Sequence, residues 1–162
     1  MVTHDSEFYL KAYNFARIGV QLEKVILEEI TTKKNCDEVD ANYVVKLEFG
    51  TKTTVIDEET VDGYLRIVVN LQQEENDSND LEIVVVYRGR FVRNPESSIT
   101  NLEQWVDMQV VPLLLSYIRM TVSNVSVQMG FDPIVIPTMD VLESVKLNTE
   151  INQSLEDDIN VD

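Results

Sequence analysis

Residues 97–147 read SSITNLEQWVDMQVVPLLLSYIRMTVSNVSVQMGFDPIVIPTMDVLESVKL and form the only long stretch of helical pattern in the chain. The residues before this stretch alternate in the manner of β-strands, and those after it are acidic. An apolar sheet face must be buried against another element. The stretch is therefore expected to cover the sheet, and it decides the fold.

The first part of the stretch predicts a short helix followed by a break. Thr100 and Glu103 have the spacing of a capping box, which would start a helix through Met108. Pro112 disrupts a helix interior but suits a first turn. We therefore expect a break near Val111.

A long helix is predicted over residues 111–129. Gly130 is favourable directly after a helix end, and Pro133 prevents continuation. Residues 131–137 are expected to form an extended connector. A last helix, capped by Thr138 or Asp140, is expected to follow.

The long helix is unusually poor in charge, because Arg119 is its only charged residue. A surface helix of a monomer normally has a charged outer face. Small neutral groups can be buried at a helix contact at lower cost than Lys or Glu. The composition therefore favours self-association over a merely polar surface helix. The small polar residues are Ser116, Ser123, Asn124, Ser126 and Gln128.

Four segments have the period-two pattern of strands: residues 7–16, 42–51, 63–72 and 81–92. Residues 52–62 are predicted to be an acidic turn. The segment 20–31 fits both a strand and a helical face, and we favour extended structure there.

The last of these strands is apolar on both faces, which indicates that both faces are covered. Leu81, Ile83, Val85 and Tyr87 share one face, and Val84 and Val86 share the other. One cover is the long helix. The other is either a second subunit or the segment 17–31.

The sequence thus predicts an α+β fold, with a four-stranded antiparallel sheet covered by a long helix plus short helices. Residues 1–147 are expected to form a single domain. Residues 148–162 contain five acidic residues and no basic ones. They are expected to form an acidic, disordered tail.

Composition limits the class of partner. The net charge is −16, from 29 acidic and 13 basic residues, which disfavours nucleic acid and anionic membranes. The N-terminus lacks a signal-peptide pattern, and no uninterrupted apolar run has the length of a membrane span. Cys36 is the only cysteine. These features together predict a cytoplasmic protein.

The sequence offers no catalytic, cofactor or metal site. His4 is the only histidine and lies near the chain end, and Cys36 has no neighbouring base to activate it. Phosphate-loop and zinc-site motifs are missing from the sequence. The chain is therefore interpreted as a binding protein and not as an enzyme, with no cofactor expected.

The order and details of residues 81–142 resemble SecB, the bacterial export chaperone that holds unfolded preproteins. The last strand ends in Gly89-Arg90-Phe91, similar to the family's Gly-x-Phe. Trp105 and Met108 fall where that family has a helical crossover before its main helix. The matches continue with Tyr117-Ile118-Arg119, Phe131 and the connector from Pro133 to Pro137.

This resemblance implies a homodimer or tetramer that binds non-native polypeptides without ATP. In SecB the main helices meet between dimers, and the last strand helps to set the oligomeric state. The corresponding interface candidates here are Leu81, Ile83, Val85, Tyr87, Ser116, Arg119, Ser123 and Ser126.

The polypeptide-binding candidates border the groove that the resemblance implies. They are Tyr43, Val45, Leu47, Phe49, Trp105 and Met108.

One departure from SecB affects the expected role. SecB docks the ATPase SecA through acidic residues on its first and last strands, where this chain has Arg17 and Val84. SecA docking is therefore not expected. The alternative to a general export or toxin–antitoxin chaperone is a specific interaction or regulatory protein with the same fold.

Overall fold

The computed structural model describes residues 6–37, 42–73 and 78–137. The predicted tail 148–162, the last helix after Pro137 and His4 lie outside these residues. The elements in chain order are α1 (Ser6–Gly19), β1 (Val20–Lys34), β2 (Tyr43–Asp57), β3 (Thr60–Gln73), β4 (Asn79–Arg93) and α2 (Leu102–Gln128).

The four strands form one antiparallel sheet in the order β1-β4-β3-β2. Opposed residues of antiparallel strands point to the same face. Val69 pairs with Ile83 and Ile67 with Val85, and all four are fully buried. We call this side, which carries the odd-numbered residues of β3 and β4, the inner face. The α+β fold predicted from the sequence is confirmed.

The core lies between the inner face and α2. Val106, Val110, Leu114, Ile118 and Val122 follow one another at helical spacing and are fully buried. They share the core with the inner-face residues of β3 and β4. One long helix is thus sufficient to cover the two central strands.

The break predicted near Val111 is wrong, because α2 is one helix with Pro112 inside it. Val110, Val111 and Leu114 on either side of the proline are buried. This packing holds the helix together despite the hydrogen bond that proline cannot donate.

The predicted capping box is also wrong by one position. The helix is capped by Asn101, whose side chain accepts a hydrogen bond from the Gln104 amide at 3.4 Å. Glu103 instead accepts a hydrogen bond from the Thr53 hydroxyl at 2.9 Å. Its carboxylate therefore ties α2 to β2.

The predicted helix end at Gly130 is confirmed. Gly130 has φ +88°, and its amide donates to the Val127 carbonyl at 3.0 Å. The Phe131 amide donates to the Ser126 carbonyl at 3.0 Å. This pair of bonds is a Schellman motif, which requires the left-handed conformation that glycine tolerates.

The predicted strand over residues 7–16 is wrong, since these residues belong to helix α1. The sequence also places Phe8, Ala12, Phe15 and Gly19 at helical spacing. Aromatic residues at both odd and even positions suit a helix better than a strand with one solvent-exposed face. Arg17 lies in the last turn of α1, where its charge is favourable.

The extended structure favoured for residues 20–31 is confirmed, because they form most of β1. This segment is an edge strand and therefore does not fold over the outer face of the sheet. The predicted turn over 52–62 is much shorter: β2 continues to Asp57 and β3 begins at Thr60.

Candidate functional site

β2 is the edge strand that carries most of the candidate binding residues. Its side chains Tyr43, Val45, Leu47 and Phe49 lie on the inner face, because Val45 pairs with Leu71 and Phe49 with Ile67. Tyr43 and Leu47 are partly buried and pack against the core. Val45 is 44% exposed and Phe49 is 40% exposed. The strand therefore presents apolar side chains to solvent beside its open edge.

The apolar surface continues at the other end of β2. Val55 and Ile56 are each about half exposed. An open cleft of about 550 Å³ lies here, and its lining includes Val55, Val61, Leu102 and Glu103. The cleft is bounded by the β2–β3 turn and the start of α2.

Trp105 and Met108 lie on α2, whereas the other four binding candidates lie on β2. Both are partly buried, and the Trp105 ring meets the ring of Phe15 on α1 edge-on, with centroids 5.2 Å apart. The Tyr43 ring instead contacts Phe131, beyond the far end of α2. Trp105 thus contacts α1, whereas Tyr43 contacts the connector that follows α2. Phe15, which sequence reasoning missed, lies beside Trp105.

The interface candidates on β4 belong to the core of this chain. Leu81, Ile83 and Val85 are fully buried, and Tyr87 is 8% exposed. The Tyr87 hydroxyl hydrogen-bonds that of Thr121 on α2 at 2.7 Å. Any effect of these side chains on a second subunit would act through α2, and their predicted role stays a prediction.

Two interface candidates on α2 hold the connector that follows it. Arg119 donates from Nε to the Ile136 carbonyl at 2.9 Å. The Ser126 hydroxyl is fully buried, accepts from the Ile134 amide at 3.0 Å and donates to the Ser123 carbonyl at 2.9 Å. These polar groups therefore dock residues 131–137 onto the helix.

Beyond Pro112, the exposed residues of α2 are uncharged. Ser116 is exposed and Ser123 is partly buried. Met120 is 57% exposed, and Tyr117 and Val127 are also exposed. This patch of Ser116, Tyr117, Met120 and Val127, which we call the α2 patch, shares only Ser116 with the predicted interface residues.

By length and composition α2 could also cross a membrane, with a mean hydropathy of 1.4. Ten of its residues are buried within the protein, most of them in the core against the sheet. A core helix therefore accounts for this hydropathy.

An ion-pair cluster lies on the outer face, which carries the even-numbered residues of β3 and β4. Asp62 accepts hydrogen bonds from Arg90 Nε at 2.8 Å and from Arg88 Nη1 at 2.9 Å. Glu28 of β1 binds Arg88 in turn. The Arg90 bond lowers the pKa of Asp62, desolvation opposes it, and Arg88 lowers it further. The cluster joins three strands.

A second carboxylate, that of Asp107, has a pKa that is shifted in the opposite direction. Burial raises the pKa of Asp107 on α2, and the negative charge of Glu103 one turn earlier raises it further. Asp107 is thus held in an environment that disfavours its charge.

Within residues 6–37, 42–73 and 78–137, no group of three or more His, Cys, Asp or Glu side chains could hold a metal ion. Cys36 is a free, partly buried thiol that packs against the core.

Comparison with known proteins found similarity to solved structures. No family model and no curated protein matches the chain. A Mycobacterium tuberculosis structure, the SecB-like chaperone Rv1957 in complex with a ChAD peptide from the HigA1 antitoxin Rv1956, matches with a TM-score of 0.67. The match covers 80% of this chain and 97% of that one at 12% identity.

A protein of unknown function from Streptococcus agalactiae is less similar. It has 10% identity over 74% of this chain and 97% of that chain, with a TM-score of 0.37 that supports no argument. The fold therefore rests on the mycobacterial match together with the observed sheet and helix: this chain is a divergent protein with the SecB-like fold.

Proposed function

We propose that the protein is an ATP-independent holdase that binds unfolded or nascent polypeptides along β2. The observation that carries this proposal is the exposed apolar surface of an edge strand. Val44, Val45, Phe49, Val55 and Ile56 are all 40–53% exposed on β2. A long apolar edge strand is normally a site of aggregation or of partner binding.

The pairing of β2 suits the addition of another strand. β2 pairs with β3 in unbroken register from Tyr43 to Val55. β1, the other edge, has register shifts at Leu22/Lys24 and Leu27/Glu29, and its sequence contains six charged residues. Bulges and charges discourage strand addition. An extended client would therefore add to β2, where main-chain bonds need no particular sequence.

The net charge of −16 supports the same role, because it would keep a protein with bound apolar segments in solution. The solved SecB-like neighbour contains a bound peptide, which is consistent with polypeptide binding by this fold. We propose that the present chain acts in the cytoplasm as a homodimer or tetramer that associates through the α2 patch.

The outer face supports a role without SecA. The first strand begins at Val20, so the expected alignment of Arg17 with that strand is wrong. Val84 is 8% exposed on the outer face, where it pairs with Val68 of β3. An apolar residue at this position does not suit a partner that docks on acidic residues.

Light scattering of an aggregating client tests the holdase. A several-fold excess of the wild-type protein should suppress aggregation of chemically denatured clients. The double variant Val45→Ser and Phe49→Ser should suppress less, because both side chains are exposed and available for contact. Val135→Ser is the matched control, since Val135 is 75% exposed but outside β2. Unchanged aggregation with wild-type protein would contradict the proposal.

A second candidate is a dedicated partner of one polypeptide. It is favoured by the neighbour's complex with a peptide from a single antitoxin. This candidate predicts one stoichiometric partner in a pull-down and no protection of unrelated clients. Protection of several unrelated clients would favour the holdase.

A further inference from the structure

Gln109 of α2 is a buried polar side chain. It is fully buried, and within residues 6–37, 42–73 and 78–137 neither its amide oxygen nor its amide nitrogen has a hydrogen-bond partner. A buried, unpaired amide destabilises the folded state, so native proteins rarely retain one without a reason.

Gln109 shares a face of α2 with Trp105. It follows Trp105 by one helical turn, and residues at this spacing lie on the same face of a helix. The Trp105 ring contacts Phe15 of α1 edge-on at 5.2 Å. α1 packs on α2, and its end is fixed near Ile99, which would collide with a Cβ on Gly19.

A helix is a poor partner for this amide. The interior backbone groups of an α-helix are bonded to one another, so α1 offers few free donors or acceptors. An extended segment, in contrast, presents free N–H and C=O groups at regular intervals. Gln109 is therefore better matched to an extended chain than to the helix beside it.

α1 is also a short helix. It has 14 residues, a length at which an isolated helix is marginal. Leu10, Phe15 and Ile18 are 46%, 45% and 69% exposed, so these three side chains contribute little burial. Displacement of α1 would therefore remove little buried apolar surface from these three residues.

We propose that α1 covers a second polypeptide-binding site on α2 and that an extended apolar client segment displaces it. The client places an aromatic or aliphatic side chain on Trp105 in place of Phe15, and Gln109 hydrogen-bonds its backbone. This inference rests on the proposed holdase function and adds a self-covered site to it. Because only molecules with α1 displaced can bind, the apparent affinity is the intrinsic affinity multiplied by the fraction of molecules that are open.

Trp105 allows a direct test, because it is the only tryptophan in the chain. The probe is a synthetic Trp-free peptide that alternates Phe or Val with Ser and Arg. Anisotropy of the labelled peptide measures total binding, and Trp105 emission with unlabelled peptide reports the α2 site. Binding should change both signals.

Two substitutions should move the affinity in opposite directions. Phe15→Ala should raise it about threefold by loosening α1, and Gln109→Leu should lower it about tenfold while raising the urea midpoint. Gln109→Asn, which keeps an amide, should retain more affinity than Gln109→Leu. Ile18→Ala, at a more exposed position of α1, should change little.

Failure of the inference can be separated from failure of the holdase. If the peptide binds by anisotropy but leaves Trp105 emission unchanged, and both variants bind like wild type, the inference is overturned and binding along β2 stands. Binding to Phe15→Ala but not to wild type would support α1 as a cover. Binding to neither protein would overturn both proposals.

Discussion

Gly63 and Gly89 lie directly opposite each other on β3 and β4, and the ring of Phe91 lies over both. A Cβ on Gly63 would lie 2.9 Å from Phe91 Cε2 and 2.5 Å from Val110 Cγ2. A Cβ on Gly89 would lie 2.8 Å from the same ring carbon. The paired glycines therefore admit Phe91 and α2 close to the sheet, which gives the Gly-Arg-Phe ending of β4 a physical reason.

Gly63→Ala should destabilise the protein by about 1–3 kcal/mol, because the new methyl group forces Val110 and Phe91 to move in a packed core. Urea unfolding followed by circular dichroism would measure this loss. Gly50→Ala is the control, since no atom lies within 4 Å of a Cβ at Gly50. A Gly63→Ala protein as stable as the control would contradict this account of the glycine pair.

Asp62→Asn should lower the free energy of unfolding at pH 7 by about 1 kcal/mol, a value reduced because the arginine partners are partly in solvent. Arg90 and then Arg88 lower the pKa of Asp62 against desolvation. The folded-state pKa lies below the unfolded one, so this stability is present above the unfolded pKa and is lost as the pH falls through the folded one.

The difference between wild type and Asp62→Asn should therefore shrink below about pH 4. Thermal melts of both proteins across the acid range would show it. Glu48→Gln, at an exposed outer-face position of β2, should show no comparable loss at pH 7. A constant difference at every pH would mean that Asp62 acts through shape rather than charge.

Asp107→Asn should change the free energy of unfolding in the opposite direction to Asp62→Asn. Burial first and then Glu103 raise the pKa of Asp107, so its charged form weakens the fold at neutral pH. Replacement should stabilise the protein at pH 7 by roughly 0.5 kcal/mol, of the size of a helix pair of like charges. As the pH falls through the raised pKa, wild-type Asp107 is protonated and should regain this stability.

The control for this effect is Asp132→Asn, at an exposed position in the connector. Chemical denaturation at pH 7 and near pH 4 would separate the two residues. Greater stabilisation by Asp132→Asn than by Asp107→Asn at pH 7 would argue against the role of burial.

The local sequence pattern was sufficient to predict the two central strands. Residues 63–72 alternate because one face of β3 lies under α2, and residues 81–92 are apolar on both faces because β4 is a central strand with Val84 buried on the other face. Pro112 misled the prediction of α2, because burial of Val110, Val111 and Leu114 outweighs the local preference of proline. Residues 7–16 were wrongly predicted to be a strand because their aromatic residues fit both the strand period and the helix period.

The candidate site depended on information that local sequence does not contain. The exposure of Val45 and Phe49 follows from the position of β2 at an edge, and strand order is set by long-range pairing. The contact of Phe15 with Trp105 joins residues 90 positions apart. Neither relationship leaves a pattern in the local sequence. Apolar and aromatic residues could therefore be proposed as binding residues, but their positions in the fold could not be predicted.

The α2 patch gives the last prediction. Met120→Glu should dissociate an oligomer that associates through this patch, because Met120 is 57% exposed in the chain and a buried carboxylate at a contact is costly. The fold of each protomer should be unchanged, since Met120 lies outside the core. Ser98→Glu, at an exposed position before α2, adds the same charge and should leave the assembly intact. Multi-angle light scattering with circular dichroism would measure both properties. A wild-type monomer would contradict the proposed oligomer, and an oligomer that Met120→Glu does not weaken would place the contact elsewhere than on the α2 patch.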